Sequence, residues 1–140
     1  MVKLKREHPG AIQAHGEATY PNECCGLILG RMVQGDKHIL ELLPAENVRK
    51  ENEQHNRFLI SPRTIFEAEK GAREKGMDVL GFYHSHPDAE ARPSQFDLDH
   101  AWPFYSYLIV SVSQGTAGVM TCWRLADDRS RFSPEEIEAG

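Results

Sequence analysis

Residues 84–97 read HSHPDAEARPSQFD: two histidines one residue apart, a proline at once behind them, then a serine and an aspartate three residues apart. Along a strand side chains alternate between faces, so His84 and His86 point the same way as Phe82 and Leu80, while Tyr83 and Ser85 point the other way. Two imidazoles about 6.6 Å apart along a strand can converge on one ion, each supplying a nitrogen about 2.0–2.1 Å from zinc. Pro87 removes a backbone donor and releases the chain from the strand. Ser94 and Asp97 share one face of a helix that starts there, and that helix can bring Asp97 back as a third ligand. Two histidines and one carboxylate leave a zinc open to water, as in catalytic rather than structural sites. Such an ion lowers the pKa of its water from about 15.7 to about 7, which makes hydroxide available for hydrolysis at neutral pH.

Plainer readings compete. Ser94-x-x-Asp97 is close to a capping box, and taken alone the pair favours a cap over a ligand set. A lone histidine beside an apolar strand is more often hydrogen-bonded structure. The H-x-H spacing evens those odds, and the downstream Ser-x-x-Asp tips them towards metal. Asp99 stands about 200° around the helix from Asp97 and cannot join the same site, and His100 reads as helix surface. Hydrolysis also needs a base to move the proton, and local spacing does not choose it among fourteen glutamates.

The elements around this stretch must hold it. Pro9 opens a helical pattern running through Ile12 towards Tyr20, broken by Pro21-Asn22. CCGLILGRM (24–32) is a buried strand, Gly35-Asp36 a turn, and KHILELLP (37–44) a second strand. Residues 45–58 are polar and read as loop. Ser61 caps the clearest helix, with Pro62 at its first position, Ile65, Phe66, Glu69 and Ala72 at helical spacing, and Gly76 at its end. MDVLGFYHSH (77–86) is the strand that carries the histidines. PSQFDLDHAWPF (93–104) is a short helix cut by Pro103. YSYLIVSVS (105–113) and GVMTCWRL (118–125) are strands around a Gly115 turn, and the tail 133–140 offers only a weak capping signal. The class is α/β or α+β with a mixed sheet whose strand order the pattern leaves open.

Totals narrow the functions. A chain of 140 residues, 40% hydrophobic and 26% charged, is sized and composed as one globular domain over residues 1–140. A net charge of −5 argues against nucleic acid as the main partner. The longest apolar run, YLIVSV, falls far short of the roughly 20 residues of a membrane span, and the basic start has no signal-peptide core. A cytoplasmic protein with no membrane partner is expected. Three cysteines, two of them adjacent (Cys24, Cys25) and one distant (Cys122), make no disulfide framework or Cys-x-x-Cys zinc site and read as reduced, buried thiols.

These residues resemble the JAMM (MPN+) metalloprotease family, in the form of its short bacterial, core-only members. HSHPDAEARPSQFD matches its motif: H-x-H-P, a serine eight residues after the second histidine, then x-x-D. YPNECCGLILG is similar to the segment in which that family places a glutamate before its first core strand, and the order of elements matches from about Ile12 to Leu125. The resemblance implies one zinc per chain on His84, His86 and Asp97. It implies Glu23 as the base and then acid that serves the catalytic water, and Ser94 as a donor to the oxyanion, a kind of contact whose loss typically costs about 10²–10³-fold. It implies a curved, mixed β-sheet flanked by helices, of cytidine-deaminase-like architecture. The implied reaction is hydrolysis of the amide bond after the C-terminal tail of a ubiquitin-like or sulfur-carrier protein ending in Gly-Gly. Such a tail would lie against a sheet edge by strand addition. The chain lacks the inserted loops and second zinc site of larger deubiquitinating members, and leaves monomer and homodimer both open.

Three alternatives are weighed: a non-catalytic scaffold of the same fold, a metal-dependent phosphoesterase, and a cysteine hydrolase using Cys24 or Cys25. The charged loop 88–92 between Pro87 and Pro93 is expected to be mobile, with a gate over the site as a hypothesis.

Overall fold

A computed structural model describes residues 1–140. The elements, in order, are β1 (Val2–Leu4), α1 (His8–Thr19), β2 (Cys25–Val33), β3 (Asp36–Ala45), α2 (Pro62–Glu74), β4 (Asp78–Pro87), α3 (Gln95–His100), β5 (Ser106–Ser113), β6 (Thr116–Leu125), β7 (Phe132–Glu135) and β8 (Ile137–Ala139), with a 3-10 turn at Glu51–Glu53 before α2. All strands join one sheet in the order β7-β6-β5-β4-β2-β3-β1-β8. β4 and β5 pair in parallel, as do β1 with β3 and β1 with β8, and the remaining pairs are antiparallel. The two outermost strands, β7 and β8, are separated in the chain by Glu136 alone. The sheet must therefore curl until its ends nearly meet. The expected class, a curved mixed sheet flanked by helices, is the one observed.

Curling gives the sheet an inner and an outer face. The inner face holds Ile28, Ile39, Leu80, Tyr83, Leu108 and Val110, with Ile12 of α1 in the same cluster. The outer face holds Cys25, Leu27, Leu29 and Val79 under Ala68 and Ala72 of α2. Local chemistry sets the element ends as expected. Ser61 accepts from the Thr64 amide at the start of α2, and Gly76 turns the chain beyond it with φ +71, a left-handed conformation glycine adopts without strain. Gln34-Gly35 and Gln114-Gly115 both carry positive φ and close the two tight hairpins.

Several expectations need correction. Leu80 does not share a face with Phe82 and His84. A bulge between Ile28 and Leu29 of β2 leaves Leu80 unpaired on β4, and it packs on the inner face beside Tyr83. Phe66 is 66% exposed, and the stripe that α2 buries runs through Ile65, Ala68 and Ala72. α3 stops at His100, short of Pro103, and the hairpin after β2 turns at Gln34-Gly35, so Asp36 already belongs to β3. The tail is not a capping segment but two strands, and the basic start forms β1 between β3 and β8. No helix is long and apolar enough to cross a membrane.

Candidate metal centre

β4 lies mid-sheet, with β2 on one side and β5 on the other, and its last residues carry the histidines to the carboxyl end of a parallel pair, where α/β sheets tend to place ligands. His84 and His86 are 1% and 6% exposed. The crossover to β5 begins here, and α3 returns Asp97 to them. Nε2 of His84 lies 3.1 Å from Nε2 of His86, and Oδ2 of Asp97 lies 3.3 Å from the first and 3.2 Å from the second. The triangle cannot be a closed set of hydrogen bonds. Two ring nitrogens carry at most one proton each and the carboxylate none, so one edge always lacks a donor. A cation within it satisfies all three atoms. Ligand atoms about 2.0–2.1 Å from a tetrahedral ion stand about 3.3 Å apart, so the spacing fits zinc.

The surroundings agree. Nδ1 of His86 donates to the Glu90 carbonyl at 2.8 Å, which sets the tautomer and leaves Nε2 its lone pair, the second-sphere arrangement of metal-binding histidines. His84 stacks on Phe58 at 4.6 Å, and its Nδ1 is buried without a partner. Asp97 Oδ2 also accepts from the Ser94 amide at 2.9 Å, and the Ser94 hydroxyl accepts from the Asp97 amide at 3.1 Å. The capping box and the triangle are thus the same residues, and the two readings of Ser94-x-x-Asp97 coexist. Although burial alone would raise Asp97, His84, His86 and the Ser94 amide hold it well below the usual carboxylate range. Burial alone would lower His86, but hydrogen bonding to Asp97 and its charge carry it above the usual imidazole value.

Glu23 sits just before β2, 3% exposed, with Oε1 buried and unpartnered. Burial pushes its carboxyl up to about 7, against the pull of His84 and His86 and with added repulsion from Asp97. A carboxyl near neutrality beside a candidate metal group suits proton transfer in either direction. Its place comes from Ser85 between the two histidines. Beyond the last ladder pair, Cys25 with His84, Ser85 Oγ accepts from the Cys24 amide at 2.8 Å and the Ser85 amide donates to the Cys24 carbonyl at 3.2 Å. The structure thus brings His84, His86 and Asp97 together with the Ser94 cap, and sets Glu23 within their electrostatic reach. Asp99 accepts from Gln95 rather than joining the triangle, and His100 stays exposed, stacked on Phe96.

Three groups around the centre had no sequence signal: Ser85, the Glu90 carbonyl, and the segment 46–59, which wraps past Glu23. A cavity of about 370 Å³ opens from His84 and Asp97 between α2 and α3, lined by Phe58, Phe82, Phe96, Trp102, Tyr107 and Ile109 among others. Loop 88–92 is not loose. Asp88 bonds to Tyr20, Val112 and Gln114, the Ala89 carbonyl accepts from Ser111 and the Ala91 carbonyl from Thr121, and Ala91 is buried. These ties argue against a mobile gate. The thiols do not suit a cysteine nucleophile either, since burial pushes Cys24 up to about 11 and Cys25 up to about 12.

Residues 5–126 match the family described as prokaryotic homologs of the JAB domain. Three relatives are similar in sequence. A tail tip assembly protein K of Escherichia phage N15 is 34% identical over 94 residues, covering 67% of this chain and 34% of that one. A desampylase of Haloferax volcanii is 33% identical over 119 residues, 84% of this chain and 80% of that one. A probable TtuB-protein conjugate cleaving protease of Thermus thermophilus is 31% identical over 107 residues, 76% of this chain and 65% of that one. The chain thus spans about a third of the phage protein and just under two thirds of the Thermus one. A solution structure from Desulfitobacterium hafniense is 32% identical and superposes with a TM-score of 0.86, covering 100% of this chain and 93% of that one. A JAB1/MPN domain protein of Archaeoglobus fulgidus, 22% identical with a TM-score of 0.61 over 100% of this chain and 97% of that one, shares the fold.

Proposed function

The chain belongs to the prokaryotic homologs of the JAB domain, and from that membership we propose that it is a zinc metallopeptidase of JAMM type. In this reading residues 1–140 form one catalytic domain that hydrolyses the amide bond after the C-terminal tail of a ubiquitin-like, sulfur-carrier-type protein. The observation that carries the reading is the triangle of His84, His86 and Asp97 ligand atoms beside the unpartnered Oε1 of Glu23. The relatives named desampylase and TtuB-protein conjugate cleaving protease support the substrate class.

His84, His86 and Asp97 would hold one zinc, which when bound supplies Lewis-acid polarisation and water activation at neutral pH. The chain's own residues do the rest. Glu23 takes a proton from the attacking water at its free carboxylate oxygen and hands it to the leaving amine, a role matched by a carboxyl raised to about 7. The Ser94 hydroxyl accepts from the Asp97 amide, so its own proton is free to stabilise the developing oxyanion. The apolar cavity beside His84 and Asp97 excludes water and seats an extended tail. β4 is paired with β5 as far as Pro87 and with β2 as far as His84, so a tail adding as a strand beside the histidines has an edge only past His84 on the β2 side. Buried, reduced cysteines fit a cytoplasmic setting.

The test is zinc content and cleavage together, using a ubiquitin-like protein with a Gly-Gly tail fused to a reporter. About one zinc per chain, lost in His86→Ala along with cleavage, is the expected result. A chain that takes no zinc even when it is offered would make the histidine pair structural and leave a protein-interaction scaffold as the function.

A further inference from the structure

Asn47 lies in the polar segment ahead of the 3-10 turn and takes no part in the metal triangle, yet its amide is bonded on every side. Nδ2 donates to the Glu23 carbonyl at 3.2 Å and to the Arg57 carbonyl at 3.0 Å, and Oδ1 accepts from the Arg49 and Leu59 amides, both at 3.1 Å. Both partners of the nitrogen are carbonyls and both partners of the oxygen are N–H groups, which fixes the orientation of the amide and uses its full capacity of two donors and two acceptors. The oxygen folds the segment upon itself, and the nitrogen ties it to Glu23.

The same segment grips Glu23 a second time. The Glu23 amide donates to the Gln54 carbonyl at 2.7 Å, and the Gln54 side chain donates back to the Asn47 and Arg49 carbonyls at 3.2 and 2.8 Å. Glu23 is therefore held at its N–H by Gln54 and at its C=O by Asn47, while the next amide, that of Cys24, is held by Ser85. Beyond Glu23 the segment touches the other side of the centre: Phe58 stacks on His84, and the Arg49 and Arg57 guanidiniums lie over Phe96 of α3, at 5.1 and 5.0 Å from the ring centre. The backbone under Glu23 is bound to the same strap that contacts the elements carrying His84 and Asp97.

We infer that Asn47 is a positioning residue that fixes Glu23 against the metal ligands through its Nδ2 donor. A carboxylate that must reach a water and a leaving nitrogen in turn tolerates little displacement, since a shift of about 1 Å can cost about 10²-fold. The inference rests on the hydrolase reading for its consequence in turnover, but not for its geometry.

Two variants separate the atoms. Asn47→Ala removes both halves of the amide. Asn47→Asp keeps the oxygen that accepts from Arg49 and Leu59 and removes the donor to the Glu23 and Arg57 carbonyls. Both variants should lose about ten- to a hundredfold in kcat, with KM within about twofold and zinc content unchanged. Residue-resolved amide exchange of the metal-free protein should show Glu23 and Cys24 exchanging faster in both, whereas Arg49 and Leu59 stay protected in Asn47→Asp. Wild-type kcat and wild-type exchange at Glu23 in Asn47→Asp would overturn the inference and leave Asn47 a builder of the strap alone. If the wild-type protein cleaves no ubiquitin-like substrate, the hydrolase reading fails, and exchange at Glu23 in Asn47→Asp decides the clamp alone: faster supports it, unchanged overturns it.

Discussion

Two clusters of buried ionisable groups sit on opposite faces of the same sheet, and they are finished differently. On the inner face, Lys37 is 3% exposed; its ammonium donates to the Phe104 carbonyl and, at 2.8 Å, to Ser106, which donates to Glu135 at 2.6 Å. The amino terminus lies 3.7 Å from the other Glu135 oxygen, and the Cys122 thiol points at the first at 3.8 Å. On the outer face, three ligand atoms crowd together without enough protons, and Glu23 Oε1 and His84 Nδ1 have no partner at all. Buried polar groups cost stability unless satisfied. The inner cluster is a solved structural problem, a polar bolt from β3 to β5 and β7 across the curl. The outer cluster opens onto a cavity and is complete only with something added. Incompleteness, rather than burial or charge, separates a site from a bolt.

The sharpest way to break that comparison is to neutralise one member of each cluster. Glu23→Gln should reduce kcat by about 10²–10⁴-fold while zinc content holds at the wild-type level. Because it replaces a buried carboxylate that lacks a partner, the metal-free variant should unfold at the same temperature as wild type or higher. Lys37→Met should do the reverse. It takes the ammonium donor from the Phe104 carbonyl and from Ser106 and the cation from beside Glu135, so it should cost about 3 kcal/mol of stability in urea denaturation, with turnover per folded molecule within about threefold of wild type. If Lys37→Met kept its stability and lost turnover, the inner cluster would be part of the site and the distinction would fall. A smaller effect sharpens the outer cluster. Ser94→Ala should lose about 10²-fold in kcat and about 1 kcal/mol of stability as the α3 cap goes, since one hydroxyl serves both purposes.

The outer cluster was far more legible in the sequence than the inner one, for a physical reason. His84, His86, Ser94 and Asp97 lie within fourteen consecutive residues, so strand alternation and helix spacing alone place them together. Glu23 is distant and came only through the resemblance of its ECCG segment. Asn47 and Lys37 act across pairings that local periodicity does not encode: Lys37 reaches Ser106 over a separation of 69 residues, through a curl that exists only because a tail without strand-like alternation pairs at both ends of the sheet. Leu80 departs from simple alternation because a bulge shifts it by one residue, and no residue type there announces it. Most element bounds agree to within one or two residues, since Pro62, Gly76, Pro87 and the turn glycines Gly35 and Gly115 act through the backbone where they stand.

The last prediction tests whether the inner bolt is an ion pair or a proton-poor hydrogen-bond network. Burial pushes the Lys37 ammonium down to about 8 from an ordinary value of 10.5, more than Glu135 raises it, with Arg124 adding to the depression and Cys122 opposing it. The folded protein thus holds this proton less tightly than the unfolded chain. Below about pH 8 both states are charged and the full cost of burying the ammonium is present. Between about 8 and 10.5 the unfolded chain binds more protons than the fold, so the Lys37 contribution to stability rises with pH. The thiols work in the opposite sense, since burial pushes Cys122 up to about 12, so the readout must be a difference. Urea denaturation at pH 7, 8, 9 and 10 should show wild type gaining on Lys37→Met at each step above 8, because only wild type has the proton to shed. Parallel curves would mean that Lys37 keeps its charge beside Glu135. The inner cluster would then be a true buried ion pair, and its contrast with the outer one would rest on partner count alone.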